Sequence, residues 1–167
     1  MERICEYDLE MKKDSRKPML RISRELEYME VDRNLNTGSM VVGFFKENYN
    51  LHLKSEEYVY LMATDTKYHI LGVMQIAHGT VDHALVGRRE IAIRMLLLGA
   101  VNGILIHNHP SGESNPSKED YMLTSAIDRM FRCIGVKLLD HIIIGRDSYF
   151  SMFENEKIDR AVKINSI

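Results

Sequence analysis

The stretch that most constrains this chain is residues 104–120, ILIHNHPSGESNPSKED. A short apolar run carries His107-x-His109, seven residues rich in turn formers follow, and Ser117-x-x-Asp120 closes the pattern. Side chains two apart on a strand share a face, so Leu105, His107 and His109 point the same way and two imidazoles can converge on one point. Pro110, Ser111, Gly112, Ser114, Asn115 and Pro116 break regular structure and let the backbone reverse. A helix is predicted to begin at Ser117, which puts Asp120 in its first turn, close to the end of the histidine strand. Two neutral imidazoles and one carboxylate leave the fourth corner of a tetrahedral zinc open, as expected of a catalytic rather than a closed structural site.

A simpler reading exists for each half of the pattern. Ser117-x-x-Asp120 has the form of a capping box, with Asp a less usual choice than Glu or Gln at the third helical position. Histidines in a strand are often hydrogen-bonded core residues. A capping Ser117 and a ligating Asp120 are compatible.

The rest of the chain is read around this unit. Residues 1–17 alternate charges with few apolar residues and are expected to form a mobile N-terminal arm. Residues 18–56 form an extension: Leu20, Ile22, Leu26 and Tyr28 alternate, interrupted by Arg24, which suggests a strand, and residues 32–38 suit a loop. Ser39 is placed as the cap of a short helix presenting Met40, Val41, Phe44 and Phe45 on one face. Residues 58–63 and 68–77 read as a hairpin about the turn Asp65-Thr66-Lys67. An irregular stretch from His78 leads to a helix over residues 88–98, stopped by Gly99. After the histidine strand, a helix over residues 117–134 aims Leu123, Ile127, Met130 and Ile134 at a core and ends at Gly135. Residues 136–144 then form an apolar strand, residues 149–153 an edge strand, and residues 156–167 a tail. Strands alternating with helices in this order indicate an α/β or α+β sandwich built on a mixed sheet flanked by helices.

Composition excludes several function classes. The 167 residues suit a single domain, and 45% hydrophobic with 28% charged is ordinary for a globular protein. A net charge of -2 gives no electrostatic reason for strong nucleic-acid binding. Cys5 and Cys133 stand alone, forming neither a zinc knuckle nor a redox motif, and Cys133 is expected to be a buried small residue. Without an apolar signal core at the N-terminus or a stretch long enough to span a bilayer, the expected location is the cytoplasm. A zinc nucleobase deaminase needs H-x-E with P-C-x-x-C, an amidohydrolase barrel needs at least about 200 residues, and a thermolysin-like protease needs H-E-x-x-H. None of these fits.

Hydrolysis at such a metal also needs a carboxylate that moves protons without being a ligand. Glu56 and Glu57, ahead of the first hairpin strand, are the candidates. Neighbouring strand residues face opposite ways, so one of the two can look at the metal, and the residues alone leave open which, or whether both are simply solvated.

An upstream Glu on a strand, then H-x-H, seven residues and S-x-x-D, resembles the signature of the JAMM metalloproteases of the MPN-domain superfamily. The string from His107 to Asp120, H-N-H-P-S-G-x-x-x-P-S-x-x-D, is similar to the bacterial RadC branch, as are Gly79-Thr80, Arg89-Glu90-Ile91 and Leu139-Asp140-His141-Ile142. The resemblance covers residues 57–153, and residues 57–155 are taken as the RadC-like JAMM/MPN domain. It implies a cytidine-deaminase-like α/β sandwich and zinc held by His107, His109 and Asp120. It implies Glu57 as the proton carrier, with Glu56 as the fallback, and Ser117 as hydrogen-bond donor to an oxyanion or an activated water. The implied chemistry is peptide or isopeptide hydrolysis on a peptide or protein substrate. The alternative is a non-catalytic interaction module or a DNA-metabolism accessory using the same fold. Arg88 stands where the family usually has Pro. The residues before Glu57 are too short and too charged to supply the N-terminal helical domain of longer RadC relatives, so a DNA-binding role resting on that domain is not expected, and DNA association stays open but unsupported by charge.

The other candidates have modest readings. His141, on the strand after the ligand helix, is read as a satisfied core histidine ahead of a partner to a ligand. His52, His69, His78 and His83 are read as surface or turn residues, and Ser111 and Ser114 as turn formers.

Overall fold

The computed structural model describes residues 2–28, 37–79 and 87–155. The expectations for residues 32–36, His83 and the tail 156–167 lie outside them. Among the described residues, seven strands form one mixed sheet in the order β2-β1-β4-β3-β5-β6-β7. In chain order these are β1 (Glu2–Met11), β2 (Pro18–Tyr28), β3 (Tyr58–Thr64), β4 (Ile70–His78), β5 (Asn102–Asn108), β6 (Lys137–Ile144) and β7 (Tyr149–Ser151). The helices are α1 (Gly38–Tyr49), α2 (Arg88–Leu97), α3 (Lys118–Cys133) and α4 (Met152–Asn155). β1 runs parallel to β4 and β5 parallel to β6, and the other neighbours are antiparallel. The predicted mixed sheet flanked by helices is therefore present.

Each face of the sheet has its own core. On one side α1 buries Val41, Val42, Phe44, Phe45 and Tyr49 against Tyr60, Met62, Val73, Ile104, Ile106, Ile142 and Ile144. Phe44 and Phe45 are fully buried, and each stabilises the fold by roughly 1.5–3 kcal/mol. The other side packs Ile91 and Met95 of α2 and Leu123, Ile127 and Phe131 of α3 on Val59, Leu61, Ala63, Met74, Leu105 and Leu138. A Cβ on Gly103 would lie 2.7 Å from the Phe131 ring and 3.0 Å from Met95 Cε. The missing side chain at that position lets both helices settle on β5.

Three expectations change. The first residues form β1, which lies between β2 and β4, rather than an arm. Its charges are matched across the hairpin, Arg3 with Glu25 and Arg21 with Asp8 and Glu10, while Ile4 is buried. Such pairing across a strand interface cannot be seen in a linear reading of alternating charge. The register shifts where Glu6 faces Arg24 and Tyr7 faces Ile22, leaving Ser23 as an extra residue in β2. The bulge accounts for the broken apolar alternation there. Arg24, which seemed out of place in the series, lays its guanidinium 5.6 Å from the centre of the Tyr49 ring. The cap of α1 is Thr37, whose hydroxyl accepts from the Met40 N–H, and not Ser39. Cys133 is exposed, because the last turn of α3 rotates it off the buried stripe. Among the described residues no helix is long and apolar enough to cross a membrane.

Candidate metal centre

The site lies on the α2/α3 face at the C-terminal end of β5. His107 is the strand residue that continues the inward side of Leu105, and Val59 of β3 is its cross-strand partner. β5 ends at Asn108, yet the His109 N–H still donates to the Ile144 carbonyl of β6 at 3.0 Å, so the second histidine keeps the strand direction. The turn that follows is clamped to the β6–β7 connection. Arg146 N–H donates to the Gly112 carbonyl at 3.0 Å, and the Ser114 and Ser148 hydroxyls are 2.9 Å apart. A Cβ on Gly145 would sit 2.4 Å from the Gly112 oxygen, so only glycine allows this approach.

α3 begins as predicted. Ser117 caps it, its hydroxyl accepting the Asp120 N–H at 3.1 Å, and the Asp120 carboxylate receives both the Ser117 N–H and the Ser117 O–H at 2.7 Å. The cap therefore also aims the carboxylate. Asp120 and Thr124 occupy the same buried stripe as Leu123, Ile127 and Phe131, polar side chains where the helical period calls for apolar ones.

Glu57, His107, His109 and Asp120 come together, one potential ligand atom from each lying within 4.8 Å of the others. His107 Nε2 is 3.0 Å from His109 Nε2, 3.1 Å from Asp120 Oδ1 and 3.8 Å from Glu57 Oε1, and His109 Nε2 is 3.3 Å from Asp120 Oδ2. Ligands of a tetrahedral zinc at about 2.0–2.1 Å stand roughly 3.3 Å from one another, so the three closest donors have the spacing that ion imposes. His109 Nδ1 lies 2.9 Å from the Glu113 carbonyl, which can only accept; the N–H is therefore on Nδ1 and the Nε2 lone pair faces the cluster. The donor set fits a divalent cation with nitrogen and oxygen ligands, whose charge would balance the two carboxylates. His107 and Asp120 are buried at 1% and 4% side-chain exposure, while His109 and Glu57, at 17% and 22%, form the open side of the site.

Burial opposes ionisation of Asp120, but while no cation is bound, hydrogen bonds from His107 and His109 when their Nε2 atoms carry a proton, and from Ser117, outweigh it and hold the carboxyl far below its ordinary range. The hydrogen bond to Asp120, working against burial, raises His109. Burial, reinforced by the charge of His107, pushes His141 well below the ordinary histidine value.

The structure separates the two glutamates. Glu57 joins the cluster, whereas Glu56 turns outward to His78, 2.7 Å away. The device that orients them is one the sequence reading passed over. The Asn108 side chain accepts from the Tyr58 N–H at 2.9 Å and donates to the Glu56 carbonyl at 3.0 Å, and Gly79 N–H donates to the Glu57 carbonyl at 2.8 Å. An amide thus extends the β3–β5 ladder by one residue and fixes the backbone on both sides of Glu57. The signal was an amide between two ligands at the end of an apolar strand. His141 unites the two readings given for it, since it is both a fully buried core residue and a hydrogen-bond partner of His107, Nε2 to Nδ1 at 2.8 Å. His69 and His78 are in the turn and at the surface as expected, paired with Asp65 and Glu56. A cavity of about 410 Å³ lies on the opposite face, between α1, β6 and α4, and contains none of the four converging residues.

The chain is 33% identical to a UPF0758 protein of Thermotoga maritima over 138 residues, 83% of this chain and 60% of that protein. It is 39% identical to a UPF0758 protein of Carboxydothermus hydrogenoformans over 104 residues, 62% of this chain and 46% of that one. A UPF0758 protein of Actinobacillus pleuropneumoniae is 33% identical over 131 residues, 78% of this chain and 58% of the relative. The chain thus spans about half the length of the curated relatives it matches. Residues 35–158 match the RadC-like JAB domain, a span that takes in α1 as well as the metal centre, and the chain belongs to that family.

Proposed function

We propose that this domain is a zinc-dependent hydrolase of the JAMM type that cleaves peptide or isopeptide bonds in a protein or peptide substrate. The observation that carries the proposal is the convergence of His107, His109 and Asp120 at ligand spacing, with Glu57 0.7 Å farther out than Asp120 as measured from His107 Nε2 (3.8 against 3.1 Å). His107, His109 and Asp120 would hold the metal. Zinc in such a site acts as a Lewis acid and brings the ionisation of water down to near neutrality.

The protein's own groups do the rest. Glu57 is on the open side, close enough to the cluster to take a proton from the attacking water and deliver it to the departing nitrogen. Asn108 and Gly79 hold the backbone around it, so that its carboxylate is presented without a large search of conformations. Ser117, at the rim of the cluster, would turn its O–H from Asp120 Oδ2 to the substrate oxygen as negative charge develops on it, leaving Asp120 the Ser117 N–H. The walls made by Leu105, Val59 and α3 keep water from the buried side of His107 and Asp120.

The test is zinc per chain by elemental analysis for the native protein, His109→Ala and Asp120→Ala after identical purification. About one equivalent in the native protein and little in both variants is expected, followed by cleavage of peptide or isopeptide substrates that Glu57→Ala loses. A native protein that stays metal-free after incubation with zinc would sink the proposal.

A further inference from the structure

The metal centre is tied to a buried hydrogen-bond chain that runs through three elements. His107 Nδ1 is 2.8 Å from His141 Nε2, His141 Nδ1 is 2.6 Å from Thr124 Oγ1, and Thr124 Oγ1 is 2.6 Å from the Asp120 carbonyl oxygen. The chain thus begins at one candidate ligand and ends on the backbone of another, crossing from β5 to β6 to α3.

Its polarity follows from its last member. A carbonyl oxygen only accepts, so the Thr124 hydroxyl donates to Asp120, the i to i−4 bond common for threonine in helices. Thr124 has one proton, and Met152 Sδ at 3.1 Å is a weaker acceptor for it. With that proton committed, His141 must supply the N–H between Nδ1 and Thr124. A neutral imidazole has one N–H, so His141 Nε2 is an acceptor and His107 must donate from Nδ1. His107 Nε2 is then left with a bare lone pair aimed at the cluster. Run in the opposite sense, Thr124 would donate to His141 and His141 to His107. His107 would then carry its proton on Nε2, toward Asp120 Oδ1 at 3.1 Å, where a metal has to bind.

We propose that Thr124 and His141 are positioning residues that hold His107 in its Nδ1–H tautomer and so present Nε2 to the metal. This rests on the metal reading above and extends it to two residues that touch neither metal nor substrate. Conventional partners of a ligating histidine are carboxylates and backbone carbonyls, which enforce the tautomer directly. Here the partner is a second histidine, which could serve either tautomer, and the decision passes to a hydroxyl anchored on the carbonyl of a fellow ligand.

The experiment compares the native chain with Thr124→Val, which keeps the shape and removes the hydroxyl, and Thr124→Ser, which keeps the hydroxyl. Zinc affinity is measured by competition with a chromophoric chelator, folding by thermal unfolding of the metal-free proteins, and tautomers by ¹⁵N NMR of labelled histidines in the zinc-loaded native protein. The expected result is N–H on Nδ1 of both His107 and His141, affinity weakened by about tenfold or more in a folded Thr124→Val, and affinity restored to within about threefold in Thr124→Ser. A folded Thr124→Val that binds zinc as tightly as the native protein would overturn the proposal, as would a zinc-loaded His141 protonated on Nε2. Failure of the native protein to bind zinc would instead overturn the metal reading itself, and the positioning role with it.

Discussion

Asp120 and Asp140 are both buried carboxylates on the element edges around β5, with relative exposures of 3% and 9%, yet their surroundings differ in kind. Asp140 faces donors only: the His141 and Phe153 N–H groups reach Oδ1 at 2.7 and 3.1 Å, and the Ser151 hydroxyl reaches Oδ2 at 2.6 Å. Both of its oxygens are engaged within the fold, as a tie between β6 and the β7–α4 corner, and burial still raises its pKa. Asp120 is also held by donors, from Ser117, but its other neighbours are imidazole nitrogens, and the Nδ1 position of each of those rings faces a partner elsewhere. With both imidazoles neutral and protonated on Nδ1, acceptors face acceptors around one point. The lesson is that a buried acid marks a functional site when lone pairs converge with nothing inside the protein to satisfy them, and marks architecture when donors do.

The sharpest way to break this comparison is to make the same substitution at both places. Asp120→Asn should abolish zinc binding in equilibrium dialysis, and Asp140→Asn should leave about one zinc per chain. The second variant should instead lose about 2 kcal/mol of stability in urea melts of the metal-free protein, because the amide presents one acceptor where the carboxylate met three donors. Equal zinc retention by both variants would end the distinction.

Metal removal sharpens it further. At free zinc about 100 times the dissociation constant, the native protein and Asp140→Asn should each gain about 2.7 kcal/mol over their chelator-treated forms. Asp120→Asn should gain nothing. Asn108→Ala tests the orientation of Glu57: stability should fall by about 1–2 kcal/mol from two lost hydrogen bonds, zinc affinity should stay within a few-fold, and turnover should drop toward that of Glu57→Ala. The smallest effect is expected at Glu56. With its side chain 59% exposed and paired with His78 across the surface, Glu56→Gln should change stability by no more than about 0.5 kcal/mol and leave zinc content untouched.

The candidate site was largely legible before any coordinates. Strand periodicity places His107 and His109 on one side, turn formers return the chain, and Ser117 starts a helix whose first turn holds Asp120; each of these is a local rule acting over fewer than about ten residues. The hairpin, the helix spans and the alternation of strand and helix were readable for the same reason. The N-terminal strand was not, since Ile4 and Leu26 pair across the hairpin and join the α1-side core only in the folded sheet, and Arg3 meets Glu25 only across the hairpin.

The sequence by itself determined a metal-ligand pattern, its placement on a strand–turn–helix unit and a mixed α/β architecture, because these depend on spacing along the chain. Tertiary structure alone turned Glu57 toward the cluster and Glu56 toward His78, beside an Asn108 amide that reaches 50 residues back to the Tyr58 N–H. It alone joined His141 to His107 across 34 residues and Thr124 to His141 across 17. A hydrogen bond depends on position and direction in space, and neither is a property of sequence separation until the sheet has brought the strands together.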